Sequence, residues 1–594
     1  MSTEFIINPH TRKFYHTLAE AVITAAKKAY PSQDLSIEEI QHLFTEAPEF
    51  EMGHLSFPCF LLSKKLRQGP PLIAKSLEQH FATYAWANKV QAQGPYLNFF
   101  FTPEGLGQHV LYPQLMGENF DHPLVLGAEQ TMLEYFQPNT HKEYHVGHMR
   151  NLCLGHALVG LMKYAGIPIV STTFPGDVGT HVAKCLWYLK FHNQEPQPQD
   201  PSERGAWLGR MYSKGNNLLE DQKGGPEEDK NRAILTSILK ELHAKAGPYF
   251  ELWKTTREYS VFLMEKITQW AHVSFDQWYW ESEVDAPSVE FVKKKLAEGK
   301  FVIDSGAVGL DLKQEKLGFV LLLKSDGTGL YATKDLELAR RKFEDWKVKR
   351  SLYLVDNRQD LHFKQVFKTL EKLGFEQAKN CAHISYEMVE LPDGAMSSRK
   401  GNIVPLMTLI KEMEQKIIDD YLEKNRPTWG DQEIERTAHM VAEGAIKYGM
   451  IGVDPNKKIV FDMKEWLRLD GESGPYLQYT HARIHTMVEK LGGLEEFNAL
   501  NWSMLDHNSE LALLSKLIHF NQQALLAATQ FRPSILTHYL YQLCKLFNSF
   551  YAECPVGKAS SEELKLARLA LCQGVKVTLA KGLGILGIAA PLRM

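Results

Sequence analysis

Thr131–Met149 reads T-M-L-E-Y-F-Q-P-N-T-H-K-E-Y-H-V-G-H-M, and the rest of the chain is organised around it. Met132, Leu133, Tyr135 and Phe136 form a short apolar and aromatic run of strand type. Pro138, Asn139 and Thr140 break that run, and H-V-G-H opens a long segment of helical spacing. A strand passing through a polar loop into a helix N-terminus makes an anion site, because free N–H groups and the positive end of the helix dipole face one point. Gly147, between two histidines, lets a flat base or a phosphate approach the backbone closely. Taken alone, His-x-Gly-His is a weak signal and fits a helix start with two polar caps better.

A second stretch, Met396–Asn402 (M-S-S-R-K-G-N), follows the strand-like run Ile384–Leu391. Serines, glycine and two adjacent cations suit a mobile clamp on a polyphosphate, although the heptapeptide alone reads more simply as a solvated turn. The two stretches together, in this order, resemble the signatures H-I-G-H and K-M-S-K-S of the class I aminoacyl-tRNA synthetases. Further segments resemble the arginine-specific branch of that family: G-P-Y-L-N-F at 94–99, Y-A-T-K-D at 331–335, Q-D-L-H-F at 359–363 and A-P-L-R-M at 590–594. The resemblance spans essentially the whole chain. Two departures stand out. Ala395 and Ser398 occupy the lysine positions of K-M-S-K-S, and P-G-D-V-G-T-H (175–181) carries Val178 where the family has tryptophan, a change expected to reshape the pocket floor slightly.

The bulk numbers agree with a soluble multidomain protein. At 594 residues the chain exceeds one hydrophobic core, while 44% hydrophobic and 23% charged residues are ordinary for a globular protein. No apolar run reaches the length needed to span a bilayer, and the N-terminus lacks the basic and apolar regions of a signal peptide. Seven scattered cysteines without a C-x-x-C pair argue against a zinc ribbon or disulfide framework and for a reducing, cytoplasmic location. A net charge of −4 neither supports nor excludes an RNA partner, since only local patches need meet phosphate.

Phe14–Tyr30 and Pro71–His80 have helical spacing, and Gln91–Phe101 reads as turn and strand. Ile167–Phe174 and Ser351–Val355 read as strands, and Gly318–Leu323 as the strand that reopens the nucleotide fold. Alternating strands and helices imply a parallel sheet with ligands beyond its carboxyl ends. Residues 192–260 are interrupted by Pro-, Gly- and charge-rich stretches around helical spacing. Glu510–Gln530 and Ile535–Phe550 carry helical apolar stripes, most of them core.

Combined with the resemblance, this implies a multidomain α/β protein. A split Rossmann-type catalytic domain with a parallel sheet is flanked by an N-terminal α/β tRNA-binding module and an all-α C-terminal anticodon-binding domain. The expected segments are 1–120 for the N-terminal module, 121–191 and 281–405 for the catalytic halves, and 192–280 for a mostly helical insertion. Residues 406–470 form a helical connector and 471–594 the anticodon-binding domain.

The chemistry implied is ATP-dependent attachment of L-arginine to tRNA(Arg) through an arginyl-adenylate, with pyrophosphate exchange that requires tRNA. A guanidinium is planar and permanently charged, so its pocket needs a bidentate carboxylate, for which Asp335 is the candidate, with Tyr331 beside it. By resemblance Asn139 and Gln359 receive the α-ammonium and Glu134 completes the pocket. Unaided, Asp335 could equally pair with Arg340 or Arg341 on the surface. His145, His148, Lys142 and Lys400 are the catalytic candidates, and Gly147, Met396, Ser397, Ser398 and Arg399 join the ATP site. Lys142 carries the pyrophosphate charge, while the division between Arg399 and Lys400 stays open. Gln93, Tyr96 and Asn98 are expected at a tRNA elbow, and Tyr476, Tyr479 and Met594 at anticodon bases. ATP brings Mg²⁺, for which no protein ligand is read. A monomer is implied. The alternative is a small-molecule adenylyl or nucleotidyl transferase of the same superfamily.

Overall fold

The computed structural model describes residues 6–8, 13–392, 394–395, 405–494, 496–497 and 500–594. The chain divides into two compact units: Met1–Ala128, Gly160–Ile167 and Arg468–Met594 form one, and Glu129–Val159 with Pro168–Leu467 form the other.

The second unit is built on a five-stranded parallel sheet. Strands β1 (Thr131–Glu134), β2 (Ile169–Thr173), β3 (Gln277–Trp278), β4 (Arg350–Asp356) and β5 (Cys381–Tyr386) lie in the order β5-β4-β1-β2-β3. All four residues of β1 are buried, as a central parallel strand covered on both faces requires. The chain order reverses between β1 and β4, and such a switch point opens a crevice at the carboxyl ends of the two strands. There Glu134 stands opposite Tyr353 in register.

Helices α1 (Val146–Ala165) and α2 (Thr180–Phe191) follow β1 and β2, with Pro201–Asp221, Glu228–Ala244 and α3 (Pro248–Trp270) before β3. Helices α4 (Glu281–Ala297) and α5 (Tyr331–Trp346) precede β4, and α6 (Asp360–Lys372) precedes β5. Then come α7 (Leu406–Ile417) and α8 (Asp431–Ile451). The inserted helices share a core with α2, in which Trp187, Ile238 and Leu242 are buried together. Gly318–Leu323 departs from expectation. It pairs antiparallel with Ala307–Leu312, which pairs with Val302–Asp304, in a separate three-stranded sheet outside the parallel one. A continuous apolar run specifies a strand but not its partner.

Two buried contacts stitch the halves of the nucleotide fold. Lys342 of α5, fully buried, is ion-paired with Glu134 at the end of β1 and lies 3.8 Å from the Tyr353 ring centroid. Asn151 of α1 donates to the Leu354 carbonyl at 2.8 Å and lies 3.1 Å from the Tyr386 hydroxyl, while its own amide oxygen accepts from the Phe136 N–H.

In the first unit, strands Leu55–Pro58, Tyr96–Phe101 and Ala87–Gln93 form an antiparallel sheet turning at Gly94 (φ 55°), beside helices Lys13–Ala29 and Pro70–His80. The same unit holds the helices Gly474–Lys490, Asn508–Leu517, Phe520–Gln530, Ser534–Glu553 and Glu562–Ile585. All seven cysteines are buried free thiols. Among the described residues no helix is long and apolar enough to cross a membrane.

Lys342→Ala leaves the Glu134 carboxylate buried without its cation, so unfolding free energy measured by denaturant titration falls by about 3–5 kcal/mol. A loss below about 1 kcal/mol would show that the pair does not hold the halves together.

Candidate active site

At the carboxyl ends of β1 and β4 lies a cavity of about 740 Å³. Its walls include Glu134, Asn139, Lys142, His145, Gly147 and His148 from the first half, and Tyr331, Asp335 and Gln359 from the second. All nine therefore share one cleft. Met396, Ser397, Ser398, Arg399 and Lys400 lie outside the described residues. The segment that follows them is anchored at the cleft: Pro405 forms a β-bridge with His145, and Leu406 N–H donates to the Tyr144 carbonyl at 2.9 Å.

The imidazoles are set by the helix start itself. Gly147 N–H donates to His145 Nδ1 at 3.1 Å, and His145 N–H donates to His148 Nδ1 at 3.2 Å. Two orphan N–H groups of the first turn are thereby satisfied. Each Nδ1 must then be an acceptor, so in the neutral ring the proton sits on Nε2. Burial, reinforced by the Lys142 ammonium, pulls His145 down to about 4. Burial, then the neighbouring His145 and Lys142, takes His148 well below its ordinary value. The pair, with ring centroids 4.2 Å apart, is thus neutral near pH 7 and offers two Nε2–H donors. Lys142 also lies 5.3 Å from the Tyr212 ring centroid, so the insertion steadies its stem.

Gly176 permits the polar end of the cleft to form. A Cβ there would sit 2.4 Å from Asn139 Oδ1 and 3.0 Å from Glu281 Oε2, so any side chain would push these groups apart. Glu281 also lines the cavity and is held at 2.5 Å by Lys334; burial still raises its carboxyl. In P-G-D-V-G-T-H the chemistry-bearing residue is structural. Asp177, fully buried, accepts from Arg257 Nε at 2.8 Å, Ser282 N–H at 2.8 Å and the Ser282 hydroxyl at 2.7 Å. Val178 is buried and is not among the cavity-lining residues.

Asp335 is not a surface partner of the neighbouring arginines: Arg340 and Arg341 pair with Glu337 at 2.9 and 2.8 Å. Its partner is His362, Nε2 to Oδ2 at 2.5 Å. Burial pulls His362 down, but the hydrogen bond to Asp335 and its charge outweigh that, and the net shift is upward. Tyr331, 69% exposed, opens α5 at the rim.

Three residues escaped the sequence reading. His362 sits inside the quoted Q-D-L-H-F and was legible by type. Glu281 and Lys342 carry no local signal, because their partners are distant in the chain.

Two residues expected at the RNA are buried. Asn98, 4% exposed, accepts from the Ser56 hydroxyl at 2.7 Å and donates to Gln93 at 3.2 Å, so it supports Gln93 from beneath. Tyr476, 8% exposed, is packed among the C-terminal helices, its hydroxyl accepting from Asn548 at 2.7 Å. Tyr96 and Tyr479 are both 38% exposed, and Met594 is partly exposed.

Three family models match the chain. These are "tRNA synthetases class I (R), catalytic domain" over residues 118–463, "DALR anticodon binding domain" over 477–594, and "Arginyl tRNA synthetase N terminal domain" over 16–101. An arginine–tRNA ligase of Bdellovibrio bacteriovorus is 54% identical over 570 residues, 96% of this chain and 97% of that protein. One from Treponema denticola is 32% identical, covering 91% and 92%. Among solved structures, the Thermus thermophilus arginyl-tRNA synthetase superposes with a TM-score of 0.80 at 27% identity, covering 98% of this chain and all of that one.

The unfolded chain takes up a proton on His145 near 6.5, which the folded site refuses until about 4. Stability linked to this group is therefore intact above about pH 6.5 and is lost as pH falls toward about 4. NMR titration of the folded protein is expected to find the His145 imidazole titrating near 4, with the proton on Nε2 above that. An apparent value at or above 6.5 would contradict the burial argument.

Proposed function

The chain belongs to the arginyl-tRNA synthetase family, and from that premise we propose how it performs ATP-dependent attachment of L-arginine to tRNA. The family assignment carries the overall reaction. The observation that carries the site reading is that Asp335 and the two imidazoles of His145 and His148 line one cavity of about 740 Å³, a size that suits an amino acid beside a nucleotide.

In this reading the guanidinium of arginine docks on the Asp335 carboxylate, a bidentate acceptor for its forked donors, with Tyr331 across its face and His362 orienting the carboxylate. Asn139, Gln359 and the end of β1 at Glu134 line the remainder, and Glu281 adds a carboxylate near Asn139 suited to the α-ammonium. The arginine carboxylate attacks the α-phosphorus of ATP. A new carbon-bound oxygen-to-phosphorus bond forms, the bond to the bridging oxygen breaks, and pyrophosphate leaves with its electron pair. No enzyme nucleophile is required, so the barrier falls by positioning and charge stabilisation. The Nε2–H donors of His145 and His148 face the phosphates as charge builds, Gly147 admits the nucleotide, and Lys142 neutralises the pyrophosphate. Transfer of arginine from the adenylate to tRNA then releases AMP.

Mg²⁺ accompanies ATP as a counter-charge carried by the substrate rather than by protein ligands. Gln93 and Tyr96 present a polar and aromatic surface to the tRNA elbow; Tyr479 and Met594 do so to the anticodon loop, with Tyr476 and Asn98 as supports. Residues 1–120 and 471–594 serve as the RNA-binding modules, and 192–280 as an insertion between the catalytic halves. A cytoplasmic location fits the scattered free cysteines, and a monomer is what the family resemblance suggests. A small-molecule adenylyl transferase would have no use for the two RNA-binding modules, and the comparisons do not favour it.

Arginine-dependent pyrophosphate exchange, assayed with and without tRNA, tests the reading. Exchange is expected only when tRNA(Arg) is present, and its absence under both conditions would overturn the assignment. In the same assay Lys142→Ala is expected to lower kcat by about 10²–10³, the scale of one preorganised charge contact. A rate within a few-fold of wild type would remove Lys142 from that role. Asp335→Asn is expected to raise the KM for arginine by about 10²-fold or more while leaving that for ATP nearly unchanged; equal effects on both substrates would place Asp335 elsewhere than at the guanidinium.

A further inference from the structure

Away from the residues that line the cleft, the turn that follows α3 meets α8. His272, His439 and Glu443 each bring one ligand-type atom to within 4.8 Å of the others. His439 and Glu443 stand one turn apart on α8, i and i+4, on the same face. His272 Nε2 lies 3.8 Å from Glu443 Oε2. The other carboxylate oxygen, Oε1, lies 2.6 Å from Lys447 Nζ, so Oε2 is the one turned toward the imidazoles. The Glu443 side chain is only 1% exposed, whereas that of His272 is 68% exposed.

His439 is oriented from behind. Its Nδ1 lies 3.0 Å from Glu414 Oε1; a carboxylate accepts, so the ring donates there and Nε2 is the nitrogen left to face an ion. The same Glu414 oxygen accepts from Trp270 Nε1 at 3.4 Å, which holds the orienting carboxylate in turn. A histidine whose far nitrogen donates to a fixed carboxylate is the usual support behind a metal ligand. Two imidazoles and one carboxylate are a zinc-type donor set, with a fourth position for water. Bonds of about 2.0–2.1 Å set ligand atoms roughly 3.4 Å apart, so a small swing of the exposed His272 ring closes the site.

We propose that His272, His439 and Glu443 bind one divalent ion of zinc type, which ties the end of α3 to α8. The reading of the active site plays no part in it.

The test uses the full-length chain stripped of metal with a chelator and titrated with Co²⁺, whose visible absorption reports tetrahedral nitrogen and oxygen ligation, followed by displacement with Zn²⁺. One ion per chain is expected. His272→Asn, at an exposed position, and His439→Gln are each expected to weaken Zn²⁺ binding at least about 10²-fold, and Glu414→Gln about 10–100-fold. Circular dichroism checks that each variant keeps its fold, and His272→Asn decides the matter should the other two not. Absence of a saturable Co²⁺ band in the wild type, or binding by His272→Asn equal to it, would overturn the proposal.

Discussion

The pairing of β1 with β4 is the constraint on which the site depends. These strands come from halves of the nucleotide fold separated by an insertion and a second sheet, yet Glu134 and Tyr353 end level with each other. Only that alignment puts the loop after β1, which carries Asn139, Lys142 and His145, opposite the turn after β4, which carries Gln359. Parallel pairing pays its loop-closure entropy before any contact rewards it. The buried Lys342 ammonium and the Asn151 amide are placed where they offset that cost, each reaching from one half to the other.

The same alignment shapes the electrostatics. The cleft is lined by neutral imidazoles and the Lys142 ammonium together with the carboxylates of Asp335, Glu134 and Glu281. A zwitterionic substrate with a cationic side chain and a polyanionic nucleotide need opposite environments a few ångströms apart. Burial keeps His145 and His148 from charging, so their Nε2–H groups donate without the desolvation cost of two further cations beside Lys142. Glu134 and Glu281 are each already matched by a lysine, which lets carboxylates stand in a buried wall.

Much of this was legible in the sequence, for identifiable reasons. β1, β2 and β4 are apolar or β-branched runs bounded by turn residues, and the helix start after β1 carries its own capping chemistry. Gly318–Leu323 read as a strand correctly but was assigned to the wrong sheet, since periodicity is blind to pairing. β3 is only two residues long and gives no periodic signal at all. Within the site, Asp335 and the histidines were readable from residue type and motif. Lys342 and Glu281 were not, because what defines them is a partner far away in the chain. Asn98 and Tyr476 were placed at an RNA surface by the family resemblance alone, and both side chains are buried by packing.

The most direct test of the central claim is a crystal structure of the protein with a non-hydrolysable arginyl-adenylate analogue. The guanidinium is expected within hydrogen-bonding distance of the Asp335 carboxylate, with the phosphate held near the Nε2 atoms of His145 and His148 in the same cleft. An analogue bound with its guanidinium away from Asp335, or its phosphate out of reach of both imidazoles, would contradict it.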